Sequence, residues 1–404
     1  MRILLINNFF RSVGGVERVF FAERELLAQH GHEVIVFSTD HPANMPSPYA
    51  HYFPSGVDFH APGNLFKKAA RFFYSREVEQ KLEALIRDTK PEVAHIQGMF
   101  DILGPTVLRV LKKHGIPIVF TAHAYKLVCP SGRLFTRGHI DESCRRHLLS
   151  DVFGRAVQNS FAKSLWGTFA LWWHLKRGTF DAIDRIISPS MFLIHKHVEF
   201  GWDAARFVHI PNPIDITKFA VASSTDAYFL FVGRLVEEKG VEVFLRAAER
   251  LPQFQFKIVG DGPSRDSLQK MVHDKKLLNV SFEGFHPPRD VVPYVANAMA
   301  VVVPSVCYET DPYSVLEAQA QGKVVIASYT GGIPEQIRSG ETGFLFERGN
   351  AEALADVMEK VAGMSATERK NIGKQARGFV DTIRTPELFY EALMDVLGAK
   401  KAHK

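Results

Sequence analysis

Residues 2–39 read RILLINNFFRSVGGVERVFFAERELLAQHGHEVIVFST, and this stretch decides the fold. It opens with a short apolar run that ends at Asn7, and a glycine pair follows at Gly14 and Gly15. From Val16 onward, apolar residues recur at helical spacing until a glycine stop, and a second apolar run then predicts another buried strand. Strand, helix and strand in close succession are typical of a parallel crossover unit.

The same alternation of strands and helices continues along the chain with one interruption. Residues 211–228 (PNPIDITKFAVASSTDAY) carry two prolines followed by small and polar residues, which is typical of a linker. The part before this segment supplies enough strands to complete one sheet, and the alternation restarts directly after it. We therefore predict an α/β fold with two Rossmann-like, doubly wound domains, residues 1–210 and residues 211–384.

The composition is that of a globular protein and excludes several classes. Of the 404 residues, 46% are hydrophobic and 23% are charged, which excludes a disordered or collagen-like chain. Three cysteines are too few for a disulfide scaffold. The longest near-apolar run, residues 165–175, is shorter than the ~20 residues of a membrane-spanning helix, and no secretion signal is visible. The sequence predicts a cytoplasmic protein without a spanning helix.

Charge is distributed unevenly along the chain, although the net charge is only +5. Residues 1–200 contain 25 lysines and arginines against 18 acids, a balance of +7, whereas residues 201–404 contain 24 against 26, a balance of −2. Thirteen of the 17 histidines also fall in the first half. The first half is therefore the better candidate for contact with an anionic surface.

Two segments of the first half, residues 64–76 and 160–180, combine basic with aromatic residues. This combination suits the headgroup boundary of an anionic membrane, and an ordinary core helix is the alternative. Nucleic acid is not expected as a partner, because no recognised motif accompanies the basic residues. The bases that we expect at the membrane are Lys67, Lys68, Lys176 and Arg177.

Basic and glycine residues follow predicted strands at the ends where open parallel sheets bind their ligands. Arg234 directly follows one strand, and Lys239 lies five residues further on, before an apolar helix. A guanidinium and an ammonium near a helix start suit a diphosphate, with a solvated basic turn as the alternative. Gly14 and Gly15 precede another helix and can bring backbone amides to an anion, with a tight turn as the alternative.

Two glutamates and a histidine follow other predicted strands. Glu309 lies after the strand AVVVPS, and Glu317 lies in the next helix. Carboxylates repel phosphate but accept hydrogen bonds from ribose or hexose hydroxyls; a capping acid and a surface glutamate are the alternative. His123 ends the strand IPIVFTAH, where it can hydrogen-bond a reacting sugar, and a structural histidine is the alternative.

Cys129 and Cys144, with His139 and His147 nearby, loosely resemble a set of zinc ligands. Their spacing matches no compact finger, in which ligands come in close pairs. The sequence therefore favours a reduced, partly buried loop without a metal ion.

Taken together, the motifs resemble the retaining glycosyltransferases of family 4 along nearly the whole chain. Each motif alone is weak evidence for this family, and the evidence is strong because all the motifs occur together in this order. In chain order the pieces are Gly14-Gly15, His123, NPID (Asn212–Asp215), GRLVEEKG (233–240), GDGP (260–263), VPS (303–305) with Glu309 and Glu317, GGIPE (331–335) and ETGFLF (341–346).

The resemblance implies a GT-B fold, in which two Rossmann-like domains face each other across a cleft. It further implies that a C-terminal helix, here within residues 385–404, packs back on the first domain. The first domain would receive the acceptor, and the second would hold a UDP- or GDP-sugar donor. The implied catalytic residues are His123, Glu309, Arg234 and Lys239. The implied donor-binding residues are Gly14, Gly15, Arg234, Lys239, Glu309, Asp311, Pro312, Tyr313, Ser314 and Glu317.

The sequence departs from the family pattern at two points. The first glutamate is commonly followed by Gly-Phe-Gly, whose amides approach the donor sugar, whereas here Thr310, Asp311 and Pro312 follow. Pro312 has no N–H to donate. The family histidine is often followed by Asp, whereas Ala124 follows His123, so any partner of His123 must lie elsewhere.

The expected activity is retaining transfer of a sugar to a glycan or lipid-linked acceptor, in cell-surface polysaccharide or glycolipid assembly. We expect it at the inner face of the plasma membrane, with neither a cofactor nor a metal ion. A GT-B nucleotide-sugar epimerase and a non-catalytic sugar-nucleotide binding protein are the rival functions. Product analysis separates the three.

Overall fold

The computed structural model describes residues 1–56, 71–100, 102–145, 149–157, 159–221 and 228–398. The chain forms two compact units. The first comprises Met1–Thr136, Asp141–Asn212 and the C-terminal segment from Glu387, and the second comprises Arg137–Ile140 and Pro213–Pro386.

A six-stranded, fully parallel sheet forms the centre of the first unit. Residues 1–212 contribute the strands β1 (Arg2–Ile6), β2 (Glu33–Phe37), β3 (Val93–Ile96), β4 (Ile118–Thr121), β5 (Phe135–Thr136), β6 (His139–Ile140), β7 (Arg185–Ser188) and β8 (Phe207–His209). The sheet order is β2-β1-β3-β4-β7-β8, and β5 pairs only with β6. Ile3–Ile6 are completely buried, as expected for a parallel strand covered on both faces.

Helices connect these strands, and three of the helices begin at a capping serine. The helices are α1 (Gly15–Gln29), α2 (Arg76–Thr89), α3 (Thr106–Lys113), α4 (Ser150–Gly154), α5 (Phe161–Lys176) and α6 (Met191–Glu199). The side chains of Ser75, Ser160 and Ser190 cap α2, α5 and α6 by accepting a hydrogen bond from the amide three residues later. Short 3-10 helices lie at Ala50–Tyr52, Ser143–Arg145, Thr179–Ala182 and Ala204–Arg206.

The second unit is built on another six-stranded parallel sheet. Its strands are β9 (Tyr228–Val232), β10 (Phe256–Val259), β11 (Val280–Gly284), β12 (Ala298–Val303), β13 (Val324–Ser328) and β14 (Phe344–Phe346). The sheet order is β11-β10-β9-β12-β13-β14, so the chain reverses its direction of winding between β9 and β12. Such a switch point is where doubly wound sheets bind their ligands.

The helices of the second unit pack on separate buried clusters, one of which includes Phe229, Phe244 and Phe256, all completely buried. The helices are α7 (Val241–Arg250), α8 (Arg265–Asp274), α9 (Pro288–Asn297), α10 (Tyr313–Ala320), α11 (Ile333–Gln336), α12 (Ala351–Gly363) and α13 (Ala366–Ile383). Short 3-10 helices lie at Ile216–Lys218 and Glu237–Lys239. The doubly wound α/β architecture predicted from the sequence is confirmed in each unit.

The chain ends in a helix whose residues from Glu387 onward belong to the first unit. This helix is α14 (Pro386–Gly398). The ring of Tyr390 stacks on His30 at a centroid distance of 3.7 Å, and its hydroxyl lies 2.8 Å from Nε2 of His32. The helix thus lies against the end of α1. The last six residues of the predicted C-terminal segment, 399–404, lie outside the described residues.

Candidate functional site

At the switch point of the second sheet, two predicted site residues form an ion pair. Lys239 follows β9 at the end of a short 3-10 helix, and Glu309 lies in the loop after β12. The two residues are 70 positions apart, yet Nζ of Lys239 lies 2.6 Å from Oε1 of Glu309. Ser305 donates a second hydrogen bond to the same carboxylate oxygen at 2.6 Å. The structure therefore brings a cation and a carboxylate together where a ligand is expected.

The ammonium of Lys239 keeps its positive charge at this site. Burial lowers the pKa of Lys239, but the neighbouring Glu309 carboxylate raises it, and the net shift is upward. One third of the Lys239 side chain is exposed, against 11% of the Glu309 side chain. The cation is therefore available to a ligand, whereas the carboxylate is held in place.

Glycines hold the backbone of both charged residues in close contact with neighbouring loops. Gly331 of the GGIPE motif has φ +59°, and a Cβ there would lie 2.1 Å from the carbonyl oxygen of Glu309. Gly240, next to Lys239, has φ +67°, and a Cβ there would lie 1.9 Å from the carbonyl oxygen of Pro304. Only glycine allows both this conformation and this close approach. The two motifs thus position the ion pair through backbone contacts.

Arg234 is exposed on the loop that leaves β9. Its neighbours fix the loop, because the amide of Gly233 donates to the carbonyl of Val259 at 3.0 Å and that of Leu235 to the carbonyl of Asp261 at 2.9 Å. Within the described part of the chain, the guanidinium has neither a hydrogen-bond acceptor nor an ion-pair partner. Arg234 therefore presents an uncompensated cation on a rigid loop.

The side chain of Asp311, one of the implied donor-binding residues, forms a buried ion pair within the second unit. Its Oδ2 lies 2.8 Å from Nη1 of Arg384, and its Oδ1 accepts a hydrogen bond from Nε2 of Gln336 at 2.6 Å. The side chains of Asp311 and Arg384 are almost completely buried. The buried carboxylate of Asp311 thus holds the loop between Glu309 and α10, and its implied donor-binding role stays a prediction.

The other predicted residues of this segment lie at the start of α10. Pro312 is the N-cap of the helix and offers no side-chain cap. Tyr313 and Ser314 are half-buried in its first turn, and the hydroxyl of Tyr313 donates to the carbonyl of Pro213 at 3.1 Å. Glu317 is half-buried one turn further along.

In the first unit, His123 lies just beyond β4 and belongs to a chain of buried hydrogen bonds. Its Nε2 bonds to Oε1 of Gln97, and Nε2 of Gln97 donates to Oε2 of Glu23. Oε1 of Glu23 lies 2.6 Å from Nδ1 of His95, and Nε2 of His95 lies 2.7 Å from the hydroxyl of Thr121. Ala124, which stands where the family often has an aspartate, has no side-chain group that could hydrogen-bond to His123. Gln97 is the partner of His123 instead.

This chain of hydrogen bonds determines the protonation of His123. Burial, together with the nearby His95, lowers the pKa of His123 to about 3, so the ring is neutral at physiological pH. Because the carboxylate of Glu23 can only accept, Gln97 turns its carbonyl oxygen toward His123. His123 then carries its proton on Nε2, which leaves Nδ1 as the acceptor nitrogen.

Sequence reasoning named Gly14, Gly15 and His123 in this unit but missed Glu23. The available signal was its place on α1, since Glu23 follows Val19 and Phe20 on the apolar side of that helix and is completely buried. Gly15 begins α1, and a Cβ added to it would meet no atom within 4 Å. The structure thus leaves open space beside Gly15.

The aromatic segment predicted to meet a membrane forms α5. Three large apolar side chains on this helix are 43–45% exposed, namely Leu165, Phe169 and Trp172. Arg177 lies over the ring of Trp173 at 4.3 Å. Within the described ranges, no helix combines the length and apolar character needed to cross a bilayer. Lys67 and Lys68 lie outside the described residues.

Two known protein families match successive parts of the chain. The family described as Glycosyltransferase Family 4 matches residues 13–218, and that described as Glycosyl transferases group 1 matches residues 214–379. The first match covers half of the chain. The chain belongs to glycosyltransferase family 4. The family assignment made from the ordered motifs is thereby confirmed.

Relatives within the glycosyltransferases are distant. The chain is 28% identical over 200 residues to a putative colanic acid biosynthesis glycosyltransferase of Escherichia coli K12, covering 46% of this chain and 49% of that one. It is 30% identical over 217 residues to an amylovoran biosynthesis glycosyltransferase of Erwinia amylovora, covering 50% and 53%. The chain thus spans about half the length of these relatives.

Solved structures support the fold. Anabaena HepE in complex with UDP-glucose matches with a TM-score of 0.72 at 17% identity, covering 99% of this chain and 100% of that one. Sucrose-phosphate synthase from Thermosynechococcus elongatus matches with a TM-score of 0.71 at 19% identity, covering 98% of each chain. The predicted GT-B fold is confirmed. The roles assigned to individual site residues stay predictions.

Proposed function

We propose that the protein is a retaining glycosyltransferase that moves a sugar from a nucleotide-diphosphate sugar to a glycan or lipid-linked acceptor. The observation that carries the proposal is the ion pair of Lys239 and Glu309 at the switch point of the second sheet, with exposed Arg234 on the loop after the same strand. A sugar diphosphate needs cations for its phosphates and a carboxylate for its sugar hydroxyls. This set offers both.

Positive charge at the switch point suits the leaving group of the reaction. Breaking the bond to the anomeric carbon yields a cationic, oxocarbenium-like sugar and an anionic diphosphate. Arg234, Lys239 and the N-terminus of α7 can stabilise that anion. We therefore propose that the donor site works without a metal ion, so that added Mg²⁺ or Mn²⁺ leaves the transfer rate unchanged.

The carboxylates are proposed to bind hydroxyl groups of the donor. Glu309 accepts hydrogen bonds from Lys239 and Ser305 in this structure, and a donor-sugar hydroxyl would take the place of one of them. Glu317 on α10 would accept from the ribose. Pro312 supplies no amide to the donor sugar, so the neighbouring donors in the sequence are the amides of Thr310 and Asp311 and the first-turn amides of Tyr313 and Ser314.

His123 is proposed to act as a neutral histidine beside the reacting sugar. Its Nε2 is engaged by Gln97, and its Nδ1 is the nitrogen that can accept a proton or a hydroxyl hydrogen bond. For retention of the anomeric configuration we propose that an oxygen of the leaving phosphate accepts the proton of the acceptor hydroxyl. This assignment rests on family membership.

The relatives support a substrate class. The matched enzymes of Escherichia coli and Erwinia amylovora carry the names of two bacterial polysaccharides, which favours an acceptor in polysaccharide or glycolipid assembly. The solved complex of HepE contains UDP-glucose, which favours a UDP-sugar over a GDP-sugar as donor.

We further propose that the first unit rests on an anionic membrane on the cytoplasmic side. The exposed apolar residues of α5, flanked by Lys176 and Arg177, and the +7 balance of the first half support this location. Sedimentation with anionic liposomes tests it, with charge reversal of Lys176 and Arg177 expected to abolish binding. Unaltered protein that ignores such liposomes would contradict it.

A product assay tests the activity. Purified protein is incubated with a panel of UDP- and GDP-sugars and a membrane extract, and products are identified by mass spectrometry and anomeric NMR couplings. A new glycoside with retained configuration supports the proposal. A new epimer of the donor, or no product although the donor binds, would instead support an epimerase or a binding protein. Glu309→Gln is expected to remove most product, and Glu359→Gln, at an exposed glutamate of the same unit, is the matched change that should leave product formation intact.

A further inference from the structure

Three metal-ligating side chains converge inside the first unit. They are Cys129 in the loop after β4, Cys144 in the 3-10 helix Ser143–Arg145, and Asp151 in α4. The two Sγ atoms and a carboxylate oxygen lie within 4.8 Å of one another. Only 1–4% of each residue is exposed to solvent.

We propose that these three side chains bind one zinc ion. A tetrahedral zinc ion has metal–sulfur distances of about 2.3 Å and metal–oxygen distances of about 2.0–2.2 Å, which separates a sulfur from an oxygen ligand by roughly 3.5–3.7 Å. Sγ of Cys129 lies 3.6 Å from Oδ2 of Asp151. Two thiolates with one carboxylate suit zinc better than calcium or magnesium, which prefer oxygen ligands. Three ligands from the described residues leave one position of a tetrahedral zinc ion for a further group.

The groups around Cys129 are those that support a metal thiolate. Residues Cys129–Gly132 form a tight turn, closed by the amide of Gly132 donating to the carbonyl of Cys129 at 3.0 Å. The hydroxyl of Ser131 lies 3.1 Å from Sγ of Cys129. Hydrogen bonds to the ligand atoms orient them and tune their charge.

A bound cation would also balance the negative charge of the buried Asp151 carboxylate. Asp151 is buried, and within the described ranges it forms an ion pair with neither a lysine nor an arginine. Buried carboxylates are normally paired with a cation or bound to a metal ion. A divalent ion would supply the missing charge and would tie the loop after β4 to α4.

The ligand set differs from the one that sequence spacing indicated. His139 is exposed on β6, where its Nδ1 lies 3.0 Å from the carbonyl of Arg137. His147 lies outside the described residues. Asp151 takes part instead. The loop is partly buried, as predicted, with both cysteines inside it and Arg133 and Arg137 exposed. The inference does not rest on the proposed transfer activity.

Metal analysis of the full-length, untagged protein tests the proposal. Plasma mass spectrometry of the desalted protein is expected to give one zinc per chain, reduced to background in Cys144→Ser and Asp151→Asn. Cys307→Ser is the matched control, because Cys307 lies in the second unit, and it is expected to keep its zinc. Wild type that holds no zinc even after incubation with ZnCl₂, or that keeps full zinc in both ligand variants, would overturn the proposal.

Two measurements on the unaltered chain do not depend on whether a variant folds. Replacement of zinc by Co²⁺ is expected to give thiolate-to-cobalt charge-transfer bands in the near ultraviolet, and bound Co²⁺ without such bands would overturn the proposal. Thiol titration after denaturation without reductant, in the presence of a chelator, is expected to give three thiols. A single thiol without zinc would show a disulfide between Cys129 and Cys144 and would also overturn it.

Discussion

Replacing Asp311 with alanine removes the carboxylate that the Arg384 guanidinium meets at 2.8 Å. The exposed fractions of the two side chains are 1% for Asp311 and 3% for Arg384, so water does not screen the pair. The substitution leaves a buried guanidinium without its carboxylate and takes an acceptor from Gln336. We expect a loss of stability in the second unit, with loss of donor binding only as a consequence.

The expected magnitude follows from this burial. Breaking a buried ion pair by removal of one partner costs about 3–5 kcal/mol, and an amide left without its acceptor adds about 1–3 kcal/mol. A domain is stable by only about 5–15 kcal/mol, so Asp311→Ala should bring the second unit close to unfolding. Removal of both charges, as in Asp311→Leu with Arg384→Met, should recover most of the loss.

Tryptophan fluorescence can follow the unfolding of the first unit by itself. The four tryptophans, at positions 166, 172, 173 and 202, all lie in the first unit. Fluorescence therefore follows the first unit during thermal unfolding, whereas far-ultraviolet circular dichroism follows both. Asp311→Ala should lower the dichroism transition and leave the fluorescence transition in place, with exposed Asp381→Ala as the control. A variant that melts like wild type but binds nucleotide sugars weakly would make Asp311 a donor ligand and refute the reasoning.

Three further predictions concern candidate site residues of each unit. Gln97→Leu should lower kcat roughly 10-fold to 100-fold, because His123 loses the partner that positions it. Gln97→Glu should raise the pKa of His123 and shift the acidic limb of the pH–rate profile to higher pH. A pH–rate profile of Gln97→Glu identical to that of wild type would contradict this. Gly331→Ala should displace Glu309 and weaken donor binding, measured by calorimetry, because its Cβ would lie 2.1 Å from the Glu309 carbonyl oxygen. His123 has a folded pKa of about 3, below its unfolded value of 6.5, so its contribution to stability is complete above pH 6.5 and is lost as pH falls toward 3. In urea unfolding followed by tryptophan fluorescence, His123→Asn should reduce the pH dependence below pH 6.5 by about 1.4 kcal/mol per pH unit, and an unchanged slope would contradict the assignment.

The two sheets could be predicted from the sequence because parallel strands buried on both faces are continuous apolar runs, as in Ile3–Ile6. The meeting of Lys239 and Glu309 was also within reach, because strands on either side of a switch point place their following loops together. Both inferences need only the recognition of individual strands and of the loop residues that directly follow them.

Long-range polar pairing was beyond such reasoning. Arg384 lies 73 positions from Asp311, and nothing near Asp311 in the sequence indicates a buried partner. Glu23 and Gln97 are likewise separated by 74 positions before the fold joins them to His123. Asp151 joins Cys129 only through tertiary packing. Acidic residues on apolar faces are the only local sign of such networks, and they do not identify the partner.

The central claim is that the second unit holds a nucleoside diphosphate through the cations after β9. Titration calorimetry of UDP and GDP into wild type, Arg234→Ala and Arg246→Ala tests it most directly, because Arg246 is an exposed arginine of the same unit that pairs with Glu242. We predict that wild type and Arg246→Ala bind one of the nucleotides equally well and that Arg234→Ala binds it roughly 10-fold to 150-fold more weakly. Equal affinity in all three proteins, or no binding by wild type, would contradict the account.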